Sequence, residues 1–427
     1  MTHFGIICPA ETGHLNTMLP LGRELQRRGH RVTLIGFLDA QAKALAAGLE
    51  FRAIAESEYP VGTMAKLFAQ LGELAGLAAL RYTITVYQQW GAVLLRDTPV
   101  AIREAGVEAL LVDQTITGGG TIAEFLEIPF INICSAVVLN SEDSVPPHFT
   151  PWSYNPAWWA RLRNKAVYSL FGRIARPIRE VQKEYRQKWN LPPYSSVNDV
   201  FSKLAIVSQQ PAELEFPRQT LPPCFHFTGP YHDSTGREAV AFPYEKLTGQ
   251  PLIYASMGTL QNRQQHIFQT IAEACVGLDA QLVISLGGSD SPDSLQGLPG
   301  EPLVVSYAPQ LELLKKATLT ITHAGMNTTL ESLTNGVPMV AIPVANDQPG
   351  IAARIAWTGA GEFVPLSQLS VPKLRAAIER VLTQDSYKKN ASRLQEAIRR
   401  AGGVSRAADI IEQAVSTGKP VLAQTQQ

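Results

Sequence analysis

Short apolar runs alternate along the chain with longer stretches in which apolar residues recur every three or four positions. The runs read as parallel strands covered on both faces, and the stretches as helices packed over them. In the N-terminal half the strand-like runs are Phe4–Cys8, Arg31–Gly36, Ala109–Val112, Ile128–Cys134, Leu204–Ser208 and Phe225–Thr228. Met18, Leu21 and Leu25 keep helical spacing up to Gly29, which makes the opening a strand–helix–strand unit. Ala40–Ala47 also reads as helical, and Gly118–Gly120 open a helix to Leu126. The span 36–103 is less regular, and Met64–Leu80 reads within it as one apolar helix. The C-terminal half gives strands at Leu252–Ser256, Gln281–Leu286, Leu303–Ser306, Leu319–Thr322 and Glu362–Val364. Its helices are expected at Pro349–Thr358, Val371–Thr383, Ser386–Arg400 and Ala407–Ala414. A polar segment with Gly and Pro, 232–250, separates the halves as a linker. The fold class is therefore α/β, with two doubly wound domains at 1–231 and 251–385. Residues 386–427 add helices and a polar tail, expected to be mobile from Thr417.

Two turns carry candidate chemistry. The run Leu319–Thr322 leads into His323-Ala324-Gly325, and a helix opens at about Asn327. Unpaired N–H groups and the helix dipole make that point an anion site. Glu331, four residues after Asn327, shares its helix face, and an acid there suits hydroxyl groups rather than phosphate. Phosphates beside a diol indicate a nucleotide. The second turn, Glu11-Thr12-Gly13-His14, follows the first strand at the edge where open α/β sheets bind ligands. Its glycine spacing is not that of a dinucleotide fingerprint. Asp113 ends the run Ala109–Val112 and falls at the same edge. A histidine base is usually oriented by a carboxylate, which would pair His14 with Asp113. The alternatives are a solvated or capping His14, and an Asp113 that caps the next helix or serves a turn. Ser135, Ala136 and Asn140 are candidate members of the same cleft.

The blocks Tyr307-x-Pro309-Gln310, His323-x-Gly325-x-Asn327-Thr328-x-x-Glu331, Gly336-Val337-Pro338-Met339 and Asp347-Gln348 occur in that order. Together they resemble the donor-binding signature of nucleotide-sugar-dependent glycosyltransferases of the plant secondary-metabolite and bacterial macrolide type. Gly13-His14 followed by Pro20 is similar to that family's catalytic-base motif. The resemblance implies a GT-B fold, two Rossmann-like domains facing a cleft, with a final helix crossing back to brace the N-terminal domain. It implies an inverting enzyme with His14 as base and Asp113 as its partner. By the same resemblance Ser256, Gly258, Thr259, His323, Gly325, Asn327 and Thr328 lie at the donor phosphates. Gln310 and Glu331 would take base and ribose, and Asp347 and Gln348 the sugar hydroxyls. Tyr307 stands where the family stacks a Trp on the donor base, so thymine or another base stays open beside uracil. Met326 replaces a Trp of the plant pattern at the sugar. The growing charge of the leaving diphosphate would fall to the helix N-terminus and His323, with no metal and no cofactor beyond the nucleotide-sugar co-substrate.

Lys+Arg and Asp+Glu number 37 each, so no global field points to nucleic acid. Four scattered cysteines without a CxxC pair read as reduced core thiols. The start of the chain lacks a signal-peptide pattern, and no window suits a membrane span. A cytoplasmic protein is expected. The segment 158–189 is distinctive: Trp158-Trp159 open a basic run with Val167, Leu170, Phe171 and Ile174 at helical spacing. It reads either as a peripheral membrane contact or as a solvated helix packed on its own domain. The run Asn346–Arg354 is similar to bacterial carotenoid glucosyltransferases of the zeaxanthin type. The expected reaction is transfer of a hexose, first glucose from UDP-glucose, to a hydroxyl of a hydrophobic acceptor such as a carotenoid. A flavonoid, macrolide or other polyphenol acceptor remains open. Lesser alternatives are a nucleotide-sugar epimerase and a non-catalytic nucleotide-sugar-binding protein.

Overall fold

The computed structural model describes residues 1–74, 76–232, 240–258, 265–288, 291–295 and 297–423. The N-terminal half runs β1 (His3–Ile7), α1 (Thr12–Arg27), β2 (Arg31–Gly36), α2 (Gln41–Ala46), β3 (Glu50–Ala53), α3 (Thr63–Glu73) and α4 (Gly76–Ala105). It continues with β4 (Ala109–Asp113), α5 (Gly119–Leu126), β5 (Phe130–Cys134), α6 (Trp158–Ile174), α7 (Arg176–Lys188), β6 (Ile206–Ser208) and β7 (Phe225–Phe227). The C-terminal half runs β8 (Leu252–Ser256), α8 (Gln265–Cys275), β9 (Gln281–Ser285), β10 (Leu303–Val305), α9 (Gln310–Leu314), β11 (Ala317–Thr322) and α10 (Met326–Thr334). β12 (Met339–Ala341), α11 (Gln348–Trp357), β13 (Gly361–Phe363), α12 (Val371–Thr383), α13 (Asp385–Ala401) and α14 (Gly403–Thr417) complete it.

Among the described residues the strands form two all-parallel sheets, ordered β3-β2-β1-β4-β5-β6-β7 and β10-β9-β8-β11-β12-β13. Each is the doubly wound arrangement expected of these apolar runs, with helices on both faces. Register sets the chemistry. Ile7 lies opposite Val112, so the Glu11–His14 turn and Asp113 emerge side by side. Ser256 lies opposite Thr322, which sets Gly258 beside His323.

The structure departs from the sequence pattern in four places. The apolar stretch 64–80 is not one helix: α3 ends at Glu73, Leu74 is extended, and a second helix begins at Gly76. That second helix, α4, has 30 residues and packs on α7, α5 and β2, so its apolar positions serve several neighbours rather than one stripe. The basic segment 158–189 is two helices that meet at Ala175. Of the C-terminal segment, α13 packs with α10 and α11 through Ala391, Leu394 and Ile398. α14 returns to the first sheet, placing Ala407, Ala408, Ile410, Ile411 and Ala414 in its core. The tail is not free from Gly418 to Ala423, the last described residue. Val421 is buried, its N–H donates to Leu204 O at 2.9 Å, and the Ala423 N–H donates to Pro223 O at 2.7 Å. The tail is fixed by its backbone, which composition does not register. Among the described residues no helix is long and apolar enough to cross a membrane.

Candidate active site

The two sheets present their carboxyl ends to one cleft of about 3720 Å³. This is several times the roughly 300–1,000 Å³ of a pocket for one small ligand, and leaves room for two ligands together. One end is lined by the turns after β8 and β11. The other carries the apolar Met64, Phe68, Ile84, Tyr87, Phe149, Val167, Leu170 and Phe171, together with the charged Asp39, Lys43, Arg176 and Arg179.

His14 sits in the first turn of α1 with 20% of its side chain open to the cleft, while Asp113 is fully buried. His14 Nδ1 and Asp113 Oδ2 are 2.8 Å apart. Ser135, which follows β5, donates its hydroxyl to the same Oδ2 at 2.5 Å and lies 2.8 Å from His14 Nδ1. Asp113 Oδ1 accepts from the Thr115 N–H at 2.9 Å and the Thr115 hydroxyl at 2.6 Å. The pairing with His14 and the turn role therefore coexist on one carboxylate. Burial alone would raise Asp113, but the His14 charge and these hydrogen bonds hold it below the usual carboxylate range. Burial likewise opposes the His14 imidazolium, yet Asp113 first, then Glu11 and Asp347, hold it up at about 9. With Nδ1 directed at Asp113, Nε2 is the nitrogen that can act in the cleft.

Glu11 and Asp347 complete the ring of carboxyls around His14. Burial raises both above the ordinary carboxylate value. Glu11 Oε2 is buried without a partner. Asp347 Oδ2 accepts from the Val137 N–H at 3.3 Å, a bond between the two halves. Gln348 turns its carbonyl inward, accepting from Val344 N at 2.8 Å and Ala345 N at 3.0 Å. Only its amide N–H₂ end is then left for a sugar hydroxyl.

The turn after β11 is tightly built. The His323 ring fills the space beside two glycines: a Cβ on Gly258 would lie 2.6 Å, and one on Gly325 2.5 Å, from His323 Nε2. Gly325 has φ −66°, open to any residue, so its requirement is spatial, and the occupant of the space is His323. Ala324 takes φ +66°, a strained value for a residue with a Cβ. Burial pushes His323 down to about 4, so it is neutral near pH 7, and its Nδ1 is buried without a hydrogen bond. Glu331, on the buried face of α10, accepts from Gln310 Nε2 at its Oε2 at 2.5 Å. Gln310 also reaches Thr328 Oγ1 at 3.3 Å, and its carbonyl accepts from the Tyr254 hydroxyl at 3.0 Å. Tyr307 is half-exposed over Gly288 at the cleft edge, and Met326 and Thr328 line the cleft. Ser256 Oγ accepts weakly from the Gly258 N–H at 3.4 Å. Thr259 lies outside the described residues.

Asn327 lies where donor phosphate was expected but already joins the two halves. Its amide donates to Gly13 O at 2.7 Å, and its carbonyl accepts from Gln209 Nε2 at 3.0 Å. The structure thus gathers His14, Gly13, Asp113, Asp347 and the turn 323–331 around one space. Ser135, Glu11, Gln209 and Tyr254 join them. Sequence reasoning proposed Ser135 only as a cleft member and did not single out the other three.

The profile of the family described as UDP-glucoronosyl and UDP-glucosyl transferase matches residues 6–400. The zeaxanthin glucosyltransferase of Pantoea ananas is 34% identical over 424 residues, covering 99% of this chain and 98% of that protein. The zeaxanthin glucosyltransferase of Pseudescherichia vulneris is 30% identical over 425 residues, covering 99% and 100%. Among solved structures, the glycosyltransferase of kitacinnamycin superposes with a TM-score of 0.76 at 24% identity, over 97% of this chain and 99% of that one.

Proposed function

Since this chain belongs to the UDP-glucoronosyl and UDP-glucosyl transferase family and is a glycosyltransferase of GT-B fold, we propose that it moves glucose from UDP-glucose to a hydroxyl of a hydrophobic, carotenoid-like acceptor. The acceptor is placed on the apolar end of the cleft and on the resemblance to two zeaxanthin glucosyltransferases. The reaction is a single displacement with inversion. His14 Nε2 takes the acceptor proton as the oxygen attacks the anomeric carbon, and the carbon–diphosphate bond breaks on the far side. Asp113, held by Ser135 and Thr115, orients the ring and stabilises the imidazolium that forms. The α10 N-terminus meets the leaving diphosphate. His323 acts there as a neutral N–H donor rather than a cation, as its lowered pKa requires. Glu331 and Gln310 hold the ribose and base edge, and Asp347 and Gln348 the sugar hydroxyls. No step draws on a metal. The acceptor is supplied from a membrane on its cytoplasmic face, with the outward helix α6 of the segment 158–189 as the contact.

The observation that carries this reading is the His14–Asp113 pair facing the donor turn across one cleft, tied to it by the Asn327–Gly13 bond. The test pairs uridine- and thymidine-diphosphate sugars with a carotenoid diol, a flavonol and a macrolide, read by mass spectrometry. A hexose mass on the carotenoid from the uridine donor is expected. Glycosylated flavonol or macrolide alone would discard the acceptor and keep the mechanism. Donor binding without product from any pair would overturn the assigned acceptor.

A further inference from the structure

The structure divides the basic segment 158–189 into two helices with different surroundings. α7 is a packed helix: it lies along α4, its Gln182 and Arg186 are buried, and Arg186 pairs with Glu124 at 2.7 Å. α6 is the outward one. Trp158 is 73% exposed, Leu162 57% and Leu170 56%, with Trp159 and Ile174 also open. Trp159, Leu162, Ala166, Leu170 and Ile174 recur every three or four residues, so they share one stripe along the helix. Exposed Arg161 and Lys165 flank that stripe on one side and exposed Arg173 lies within it near its end, and none of the three is paired with a carboxylate among the described residues. An exposed apolar stripe interspersed and edged with basic residues fits a partner that is apolar beneath and negatively charged at its surface. An anionic bilayer is both, whereas a protein groove would have to supply the acids itself.

The position of the stripe adds a second observation. Leu170 and Ile174 are exposed and also line the cleft, next to Val167 and Phe171. The outer face of α6 therefore continues over the cleft rim into the apolar wall without a polar barrier on that helix. We infer that α6 docks the protein on an anionic phospholipid surface and that the acceptor passes sideways from the bilayer into the cleft across Leu170 and Ile174. This rests on the hydrophobic acceptor proposed above. Its consequence is that the acceptor need not cross water to reach His14.

The test uses the full chain and three variants: Trp158→Ser with Leu162→Ser, Arg161→Glu with Lys165→Glu, and the four changes combined. None of these positions lines the cleft. Co-sedimentation with phosphatidylcholine vesicles containing phosphatidylglycerol reads docking without any acceptor. The parent is expected to bind these vesicles, to bind pure phosphatidylcholine much less, and to lose binding at high salt. Each paired variant should bind at least about tenfold less. Transfer is then measured on a carotenoid diol either embedded in the vesicles or dispersed as a cyclodextrin complex. The variants should lose vesicle-embedded transfer in proportion to binding and keep transfer to the dispersed acceptor within about twofold of the parent. Unchanged vesicle binding in the variants would overturn the inference. So would equal loss in both presentations, or a parent dimer that the variants convert to monomer, since a second copy would then cover the stripe. Docking without transfer in either presentation would instead refute the acceptor of the proposed function, and lateral passage with it.

Discussion

The pair formed by His14 and Asp113 can be tested by one isosteric change, Asp113→Asn. In the parent the His14 pKa is about 9, against an ordinary value of about 6.5. That rise corresponds to roughly 3 kcal/mol of preference for the imidazolium, shared among Asp113, Glu11 and Asp347. A base must be neutral to accept a proton. With a pKa of about 9, only about 1% of free enzyme is competent at pH 7, so kcat/KM should climb about tenfold per pH unit from 7 until it levels near 9. Asparagine removes the charge and presents either an oxygen or an N–H₂ to His14. Thr115 N–H and Ser135 Oγ–H still require acceptors on the same group. They cannot both be met while the amide also accepts from His14 Nδ1. The ring is then left in the wrong tautomer, a loss that in comparable dyads reaches about 10²–10⁴ in kcat. The acid limb should also move toward about 6.5. Stability gives an independent reading. A raised histidine pKa stabilises the fold fully below about 6.5 and loses that contribution as pH rises through about 9. Between those values the parent should therefore lose up to roughly 3 kcal/mol, and the variant much less. Steady-state kinetics with the preferred pair from pH 6 to 10, beside urea unfolding at the same pH values, would check both. A variant that keeps the parental plateau and the parental acid limb would refute the reasoning.

Other outcomes follow from the same geometry. Gly325→Ala should weaken donor binding at least about tenfold, because the new Cβ would sit 2.5 Å from His323 Nε2 and displace the ring; isothermal titration with UDP-glucose would show it. Glu331→Gln should weaken donor binding by roughly 10- to 100-fold through loss of a charged acceptor, with little change in kcat, and a deoxyribose donor should be less affected by it. Arg354→Met should destabilise the fold by about 3–5 kcal/mol in urea unfolding, because Glu215, 2.5 Å away between the halves, would be a buried charge with less compensation. Adding Glu215→Gln should recover part of that loss.

The parallel strands were readable because a strand covered on both faces is a continuous apolar run, and β2 begins and ends where the pattern placed it. The donor turn was readable because its glycine, histidine and acid lie within one strand–turn–helix. β3 was not, since an edge strand of sequence Glu-Phe-Arg-Ala with alternating exposure has no such run. α4 was not, because it touches α7, α5 and β2 with different faces, and Pro99 inside it reads as a break. The His14–Asp113 pairing could be proposed from two strand ends, but Ser135 could not be given its place. That place depends on β5 lying next to β4, with Ile133 opposite Asp113, which is a property of strand order rather than of local pattern. Gln209 and Tyr254 are similar: each matters through a partner 118 or 56 residues away.

The return of α14 to the first sheet changes what counts as a half of this enzyme. Tyr231 closes the first pass of the chain over that core, yet Ala407, Ile411, Ala414 and Val421 belong to the same core. Arg28 further ties α1 to Asp409 at 2.7 Å and to Glu412 at 2.6 Å. The half built on the second sheet is thus, in effect, an insertion within a unit that starts and ends the chain. During synthesis the first sheet would leave the ribosome with an apolar seam that nothing covers until the last helix arrives. A chimera that exchanges donor specificity by one cut in 232–250 would import a foreign α14 onto a native α1. Cutting a second time near Gly402 would exchange the donor half and leave that seam with its own cover.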